Sequence, residues 1–211
     1  MTTWIDLTHA IDSQTPAYPG DPLISLEPAA TVDHEGFSVH KIMLGTHAGT
    51  HVDAPAHLLE DGKPLGAFAL EDFSGRATVI DCRKFLLQGE IPAEILSPVA
   101  EENLDWVLLC TGAAQHWKEN AYFSGSALVP SGALLERMAQ MKLKGFGLDA
   151  AGPDRFGEDV RHKRWFALTH ALIVENLVNL EVLVGRRFQF FAVPLKTAAA
   201  DGAPVRAFAL L

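Results

Sequence analysis

The chain has 211 residues, of which 48% are hydrophobic and 20% charged, and its formal net charge is -9. That length and balance fit one globular domain with a sizeable core. The acidity argues against nucleic acid or an anionic membrane as a partner, since both are bound through basic patches, and the longest basic run, Arg161-His162-Lys163-Arg164, is short.

Taken in chain order, residues 4–11 read as a short strand, and 15–22, with three prolines and a glycine, as a rigid loop. Residues 23–26 and 37–44 read as strands, 54–66 as loop and 76–82 as a strand. A helix is expected over 92–101, with Pro92 near its start. Residues 105–111 are apolar almost throughout, which suits a strand buried on both faces. Residues 131–141 form the best helix: Ser131 can cap it, and Leu134, Leu135, Met138 and Met141 share one apolar face. Residues 144–150 read as a strand, 162–171 as helical, 172–175 as a short apolar segment, and 188–194 and 205–210 as strands. Strands with a few helices between them predict a single α/β domain built on a mixed sheet.

The two cysteines, Cys82 and Cys110, lie in apolar strand segments and read as buried, reduced thiols. The first ten residues lack the basic segment and apolar core of a signal peptide, and no apolar run approaches the length of a membrane span. A cytoplasmic enzyme is the expectation.

The densest chemistry lies in His47-Ala-Gly-Thr-His51-Val-Asp53-Ala-Pro-Ala-His57, with three of the chain's nine histidines and an aspartate in eleven residues. Imidazole and carboxylate are the side chains that bind first-row divalent metals best without sulfur. His47 and His51 have helical spacing, but Gly49, Thr50, Val52 and Pro55 disfavour a helix, and Ala48 stands where the zinc-protease H-E-x-x-H motif needs glutamate. An extended segment places His51 and Asp53 on one side, and Gly49 can bend His47 back towards them. His57 reaches the same cavity from beyond Pro55.

Further donors are expected from 162–175, which holds His162, His170 and Glu175. Glu175 follows Leu172-Ile-Val, and a buried carboxylate must be paired or metal-bound; a pairing with a base such as Arg186 is the structural alternative.

These residues resemble a known signature. His47-x-Gly-Thr-His51-x-Asp53-x-Pro55-x-His57 is similar to that of the cyclase family of metal-dependent hydrolases, which includes kynurenine formamidases and isatin hydrolases. Asp6-Leu-Thr-His9, Pro16-Ala-Tyr-Pro-Gly-Asp21, Leu109-Cys-Thr-Gly112, Gly147-Leu-Asp149, Ile173-Val-Glu-Asn-Leu177 and Asp201-Gly-Ala-Pro-Val-Arg206 extend the resemblance over about residues 4 to 210. It implies a swivelling β/β/α fold, a homo-oligomer (dimer or tetramer), and one or two divalent ions per chain, zinc or manganese foremost. It also implies that His47, His51 and Asp53 hold a first ion, that Asp53 bridges to a second held by a later histidine and Glu175, that His57 shuttles the proton, and that Tyr18 contacts the substrate. The family's later histidine stands twelve residues before the glutamate. Lys163 occupies that spacing here; His162, one residue further, is the closer match and His170 the alternative.

The implied activity is hydrolysis of a small amide by metal-activated water, with an aryl formamide such as N-formylkynurenine as the leading substrate. A cyclic amide of the isatin type, or a lyase or non-hydrolytic metal-binding role, are the alternatives, because one fold hosts many chemistries. A serine hydrolase is disfavoured by the lack of a G-x-S-x-G elbow.

Overall fold

The computed structural model describes residues 2–119, 122–123 and 128–211. Its strands are β1 (Trp4–Asp6), β2 (Ser25–Ala30), β3 (Val39–Met43), β4 (His51–Asp53), β5 (Ser74–Asp81), β6 (Glu90–Ile91), β7 (Trp106–Cys110), β8 (Val129–Pro130), β9 (Gly145–Leu148), β10 (Leu172–Glu175), β11 (Arg187–Pro194) and β12 (Gly202–Leu210). The helices are α1 (Val32–Glu35), α2 (Gly132–Gln140) and α3 (Val160–Thr169). The main sheet runs β1-β12-β11-β5-β7-β9-β10-β4, and β4 also pairs with β12, so seven strands close into a barrel with β1 attached outside the ring. The strands from β5 through β7 and β9 to β10 are parallel neighbours. The remaining pairings are antiparallel, which makes the mixed sheet expected from the sequence. Closure leaves no free edge in the ring.

Alternation along β7 shows how the core divides. Trp106, Leu108 and Cys110 pack inside the barrel with Val79, Val174 and Phe190. Val107 and Leu109 face outward, beneath Leu134, Leu135 and Met138 of α2 and Trp165 and Phe166 of α3. The Trp106 indole fits inside because Gly145 faces it from β9: a Cβ there would lie 2.6 Å from the ring. Ser131 caps α2 as expected, its hydroxyl accepting from the Leu134 N–H at 3.1 Å. Both cysteines are free and buried, and burial pushes the Cys110 thiol up to about 12.

Two expectations fail locally. The helix predicted over 92–101 is a single 3-10 turn, Ala93–Leu96; Pro98 lacks the N–H that a longer helix would use there. The first strand stops at Asp6 rather than residue 11, because the chain turns away and Thr8 bridges to Leu177 instead. Among the described residues β2 and β3 pair only with each other, outside the barrel. Among the described residues no helix is long and apolar enough to cross a membrane.

Candidate metal centre and active site

β4 lies between β10 and β12, with His51 opposite Glu175 and Asp53 opposite Ile173 and Gly202. Val52 points into the barrel core. By the alternation of a strand, His51 and Asp53 therefore emerge together on the outer side. Gly49 takes φ +64° before the strand, the bend that returns His47 to this pair: His47 Nδ1 lies 2.8 Å and His51 Nε2 3.2 Å from Asp53 Oδ1. His162, on the first turn of α3, points its Nε2 at Asp53 Oδ2 (3.3 Å) and Glu175 Oε1 (2.7 Å). Glu175 Oε2 in turn lies 3.4 Å from His51 Nε2. Arg186 is not part of this cluster; the partners of Glu175 are the two imidazoles.

Each ring is oriented by a hydrogen bond on its other nitrogen. His51 Nδ1 lies 2.8 Å from the Gly49 carbonyl. Asp154 Oδ2 lies 3.1 Å from His162 Nδ1 and accepts the His162 backbone N–H at 3.0 Å, while Asp154 Oδ1 accepts the Arg161 N–H at 2.7 Å. Asp154 thus caps α3 and sets the imidazole at once. Asn176 takes φ +55°; its amide donates to the Gly49 carbonyl at 2.9 Å and its side-chain oxygen accepts from the Tyr122 hydroxyl at 2.7 Å.

Three donor groups arise: two triads share Asp53, namely His47, His51 and Asp53, and Asp53, His162 and Glu175, and a third, less buried, joins His47, His57 and Asp201. Ligands at about 2.1 Å from one ion, about 90–110° apart, stand roughly 3.0–3.4 Å from each other, and most separations in the cluster fall close to that range. Glu175 Oε1 is buried without a hydrogen-bond partner, although His162 Nε2 is 2.7 Å away. Such an orphaned oxygen beside an imidazole nitrogen suits a shared cation. Gly152 faces the same pair, and a Cβ there would come within 3.2 Å of Glu175 Oε1 and of His162 Cε1. The residues fit a divalent metal.

The electrostatics agree. Burial would lower the His47 pKa, but the Asp53 and Asp201 carboxylates overcome it and raise it to about 10. Burial likewise opposes, and the carboxylates outweigh it, at His51 and at His162, which ends well above its ordinary value. Burial would raise Asp53, yet the surrounding imidazoles hold it well below the usual range. Glu175 goes up, through burial first and then the Asp53 charge. The cluster draws in positive charge, which protons supply without a cation and a bound metal would replace.

All six of His47, His51, Asp53, His57, His162 and Glu175 line a 650 Å³ cavity, and so does Tyr18. His57 ends the 3-10 turn Pro55–His57, and its ring stands 3.9 Å from that of His47. His170 is not brought to the cluster; it ends α3 with φ +54°. Tyr18 packs against Phe123 (centroids 5.5 Å apart) and Phe156 (5.4 Å), forming an aromatic part of the cavity lining. Sequence reasoning gave no role to Asp154, Asp201, Asn176, Phe123 or Phe156, although Asn176 and Asp201 lie in segments that carry the resemblance. Asp154 offered only a weak signal, an acidic residue in the Gly-Pro-Asp segment before α3.

The family described as "Putative cyclase" matches residues 5–155. An uncharacterised protein of Methanocaldococcus jannaschii is 32% identical over 209 residues, covering 98% of each chain. A kynurenine formamidase of Bacillus cytotoxicus is 29% identical over 209 residues, covering 97% of this chain and 95% of its own. A solved isatin hydrolase bound to the product analogue thioisatinate superposes with a TM-score of 0.87 at 22% identity, covering 100% of this chain and 92% of that one.

Proposed function

We propose that this chain, which belongs to the cyclase family, is a metal-dependent hydrolase that cleaves the amide bond of a small aryl formamide. The observation that carries the reading is the pair of donor triads sharing Asp53 in a cavity lined in part by Tyr18, Phe123 and Phe156. The similarity to a kynurenine formamidase supports the formamide as first substrate, and N-formylkynurenine is the compound to try. His47, His51 and Asp53 would hold one divalent ion and Asp53, His162 and Glu175 a second, with zinc and manganese the first metals to test.

A bound divalent ion supplies Lewis acidity, polarising the carbonyl and lowering the pKa of water from about 15.7 to about 7. The protein's own groups do the rest. The aromatic wall receives the aryl ring and leaves the acyl carbon facing the cluster. The oxygen of water bonds to that carbon, the C–N bond breaks, and the leaving nitrogen takes a proton. His57 is placed to deliver it: its ring adjoins the donor cluster, and it stands in a separate group with His47 and Asp201 rather than in either triad that shares Asp53. Burial outweighs the opposing Asp53 charge and keeps the pKa of His57 below its ordinary value.

The test is hydrolysis by purified protein, stripped with chelator and reloaded with zinc or manganese, of N-formylkynurenine and of isatin in parallel. Metal-restored hydrolysis of the formamide supports the reading; faster opening of isatin replaces the substrate, and activity that survives chelation refutes the metal mechanism. His57→Ala should keep its metal and lose turnover by about 10²–10⁴. Full activity in that variant removes His57 from the proton path.

A further inference from the structure

His47 and His57 share one acceptor. Asp201 Oδ2 lies 2.9 Å from His47 Nε2 and 3.4 Å from His57 Nδ1. The backbone that carries it is fixed to the metal-binding strand: the Ala54 N–H donates to the Asp201 carbonyl at 2.8 Å, and Gly202 pairs with Asp53 in the barrel. Gly202 also makes room for the ring, since a Cβ there would lie 2.7 Å from His47 Cε1 and 2.9 Å from the Val52 carbonyl oxygen.

We propose that Asp201 is a positioning residue that orients a metal ligand and the proton shuttle through one carboxylate oxygen, with Gly202 providing the seat for the ligand's ring. At His47 it accepts the Nε2–H, which leaves the Nδ1 lone pair facing Asp53 and the ion. At His57 it accepts the Nδ1–H, which leaves Nε2 as the atom that carries the proton into the cavity. A carboxylate oxygen only accepts, so it takes the N–H of both rings and fixes the tautomer and orientation of each.

This rests on the metal-hydrolase reading, so the experiment separates the two. Cobalt(II) alone is titrated into wild type, Asp201→Ala, Asp201→Asn and Gly202→Ala, following the visible d–d bands, and kcat and KM are then measured on N-formylkynurenine. Asp201→Ala should bind cobalt about 10–100-fold more weakly, with a shifted band, because a ligand has lost its orienting partner. Gly202→Ala should weaken binding as well, by displacing the ring. Asp201→Asn keeps an oxygen for His47 and should bind cobalt within about threefold of wild type. Its kcat should nevertheless fall by roughly tenfold or more at unchanged KM, because a neutral amide oxygen holds the His57 Nδ1–H more weakly than a carboxylate and leaves the shuttle ring poorly oriented. Wild-type cobalt affinity and spectrum in Asp201→Ala, or wild-type kcat in Asp201→Asn, overturn the proposal. A wild-type chain that binds no cobalt overturns the metal reading and this one with it. A chain that binds cobalt but leaves the formamide intact sinks only the substrate assignment, since the cobalt arm still decides the role of Asp201 at His47.

Discussion

Replacing Gly152 by alanine probes the second donor triad without removing a ligand. Gly152 has φ +151°, a conformation that costs a residue with a side chain about 1–3 kcal/mol. The added Cβ would stand 3.2 Å from Glu175 Oε1 and 3.2 Å from His162 Cε1, so one or both must retreat by a few tenths of an ångström. Metal–ligand distances tolerate only about 0.2 Å. The expected loss of affinity, by analogy with changes next to a ligand, is about 10–100-fold at the triad of Asp53, His162 and Glu175. The three atoms nearest the new methyl group all belong to Glu175 and His162, so the triad of His47, His51 and Asp53 should keep its ion. A 10–100-fold weaker site removes about 1.4–2.7 kcal/mol of stabilisation at a given metal concentration. For a domain of this size the metal-induced rise in Tm should then shrink by roughly 3–10 °C. The assay is elemental analysis after dialysis against limiting zinc, with thermal melts in chelator and in excess metal. A variant that keeps the wild-type number of ions, and the same metal-induced shift in Tm, would refute the geometric argument.

Two other outcomes follow from the same structure. His162→Ala should reduce the number of ions bound per chain, whereas His170→Ala should leave it unchanged, because His170 ends α3 away from the donors; elemental analysis of both variants decides it, and the reverse pattern would restore His170 as the ligand. His9 predicts a dependence of stability on pH. It stacks on Trp117 at 4.2 Å, and burial, followed by the Lys118 charge, lowers its pKa to about 4 from 6.5. The unfolded chain therefore binds the proton more readily than the fold, so this stability is complete above about pH 6.5 and is lost as pH falls towards 4. Denaturant unfolding at pH 7 and pH 5 should show a larger loss for wild type than for His9→Phe, which stacks without titrating; equal losses would discount His9.

How much of this could be read from the sequence varies with the distance over which the information is written. The cluster from His47 to His57 was legible because its donors are adjacent and its backbone is short and extended, and α2 was legible because Ser131 and its apolar face are local. Glu175 stood out as an acid closing an apolar run. Asp201 and Asp154 did not, because they act across the fold: Asp201 meets His47 only through the pairing of β12 with β4, and Asp154 caps α3 from seven residues upstream of Arg161. The helix expected over 92–101 failed where Pro98 outweighed a favourable start. Barrel closure itself has no local signature, since it joins strands about 150 residues apart.

That closure has a consequence for when the protein can acquire its metal. A ribosome that has finished Glu175 has already made every residue of the two triads that share Asp53. It has not yet made β12, the strand that flanks β4 opposite β10 and brings Asp201 to His47. Until that strand docks, β4 has one open edge and His47 lacks its acceptor. Domains fold as units during synthesis, so loading belongs after β12 has been translated and paired. A nascent chain halted before it would offer the histidines to any passing cation without the geometry to keep one.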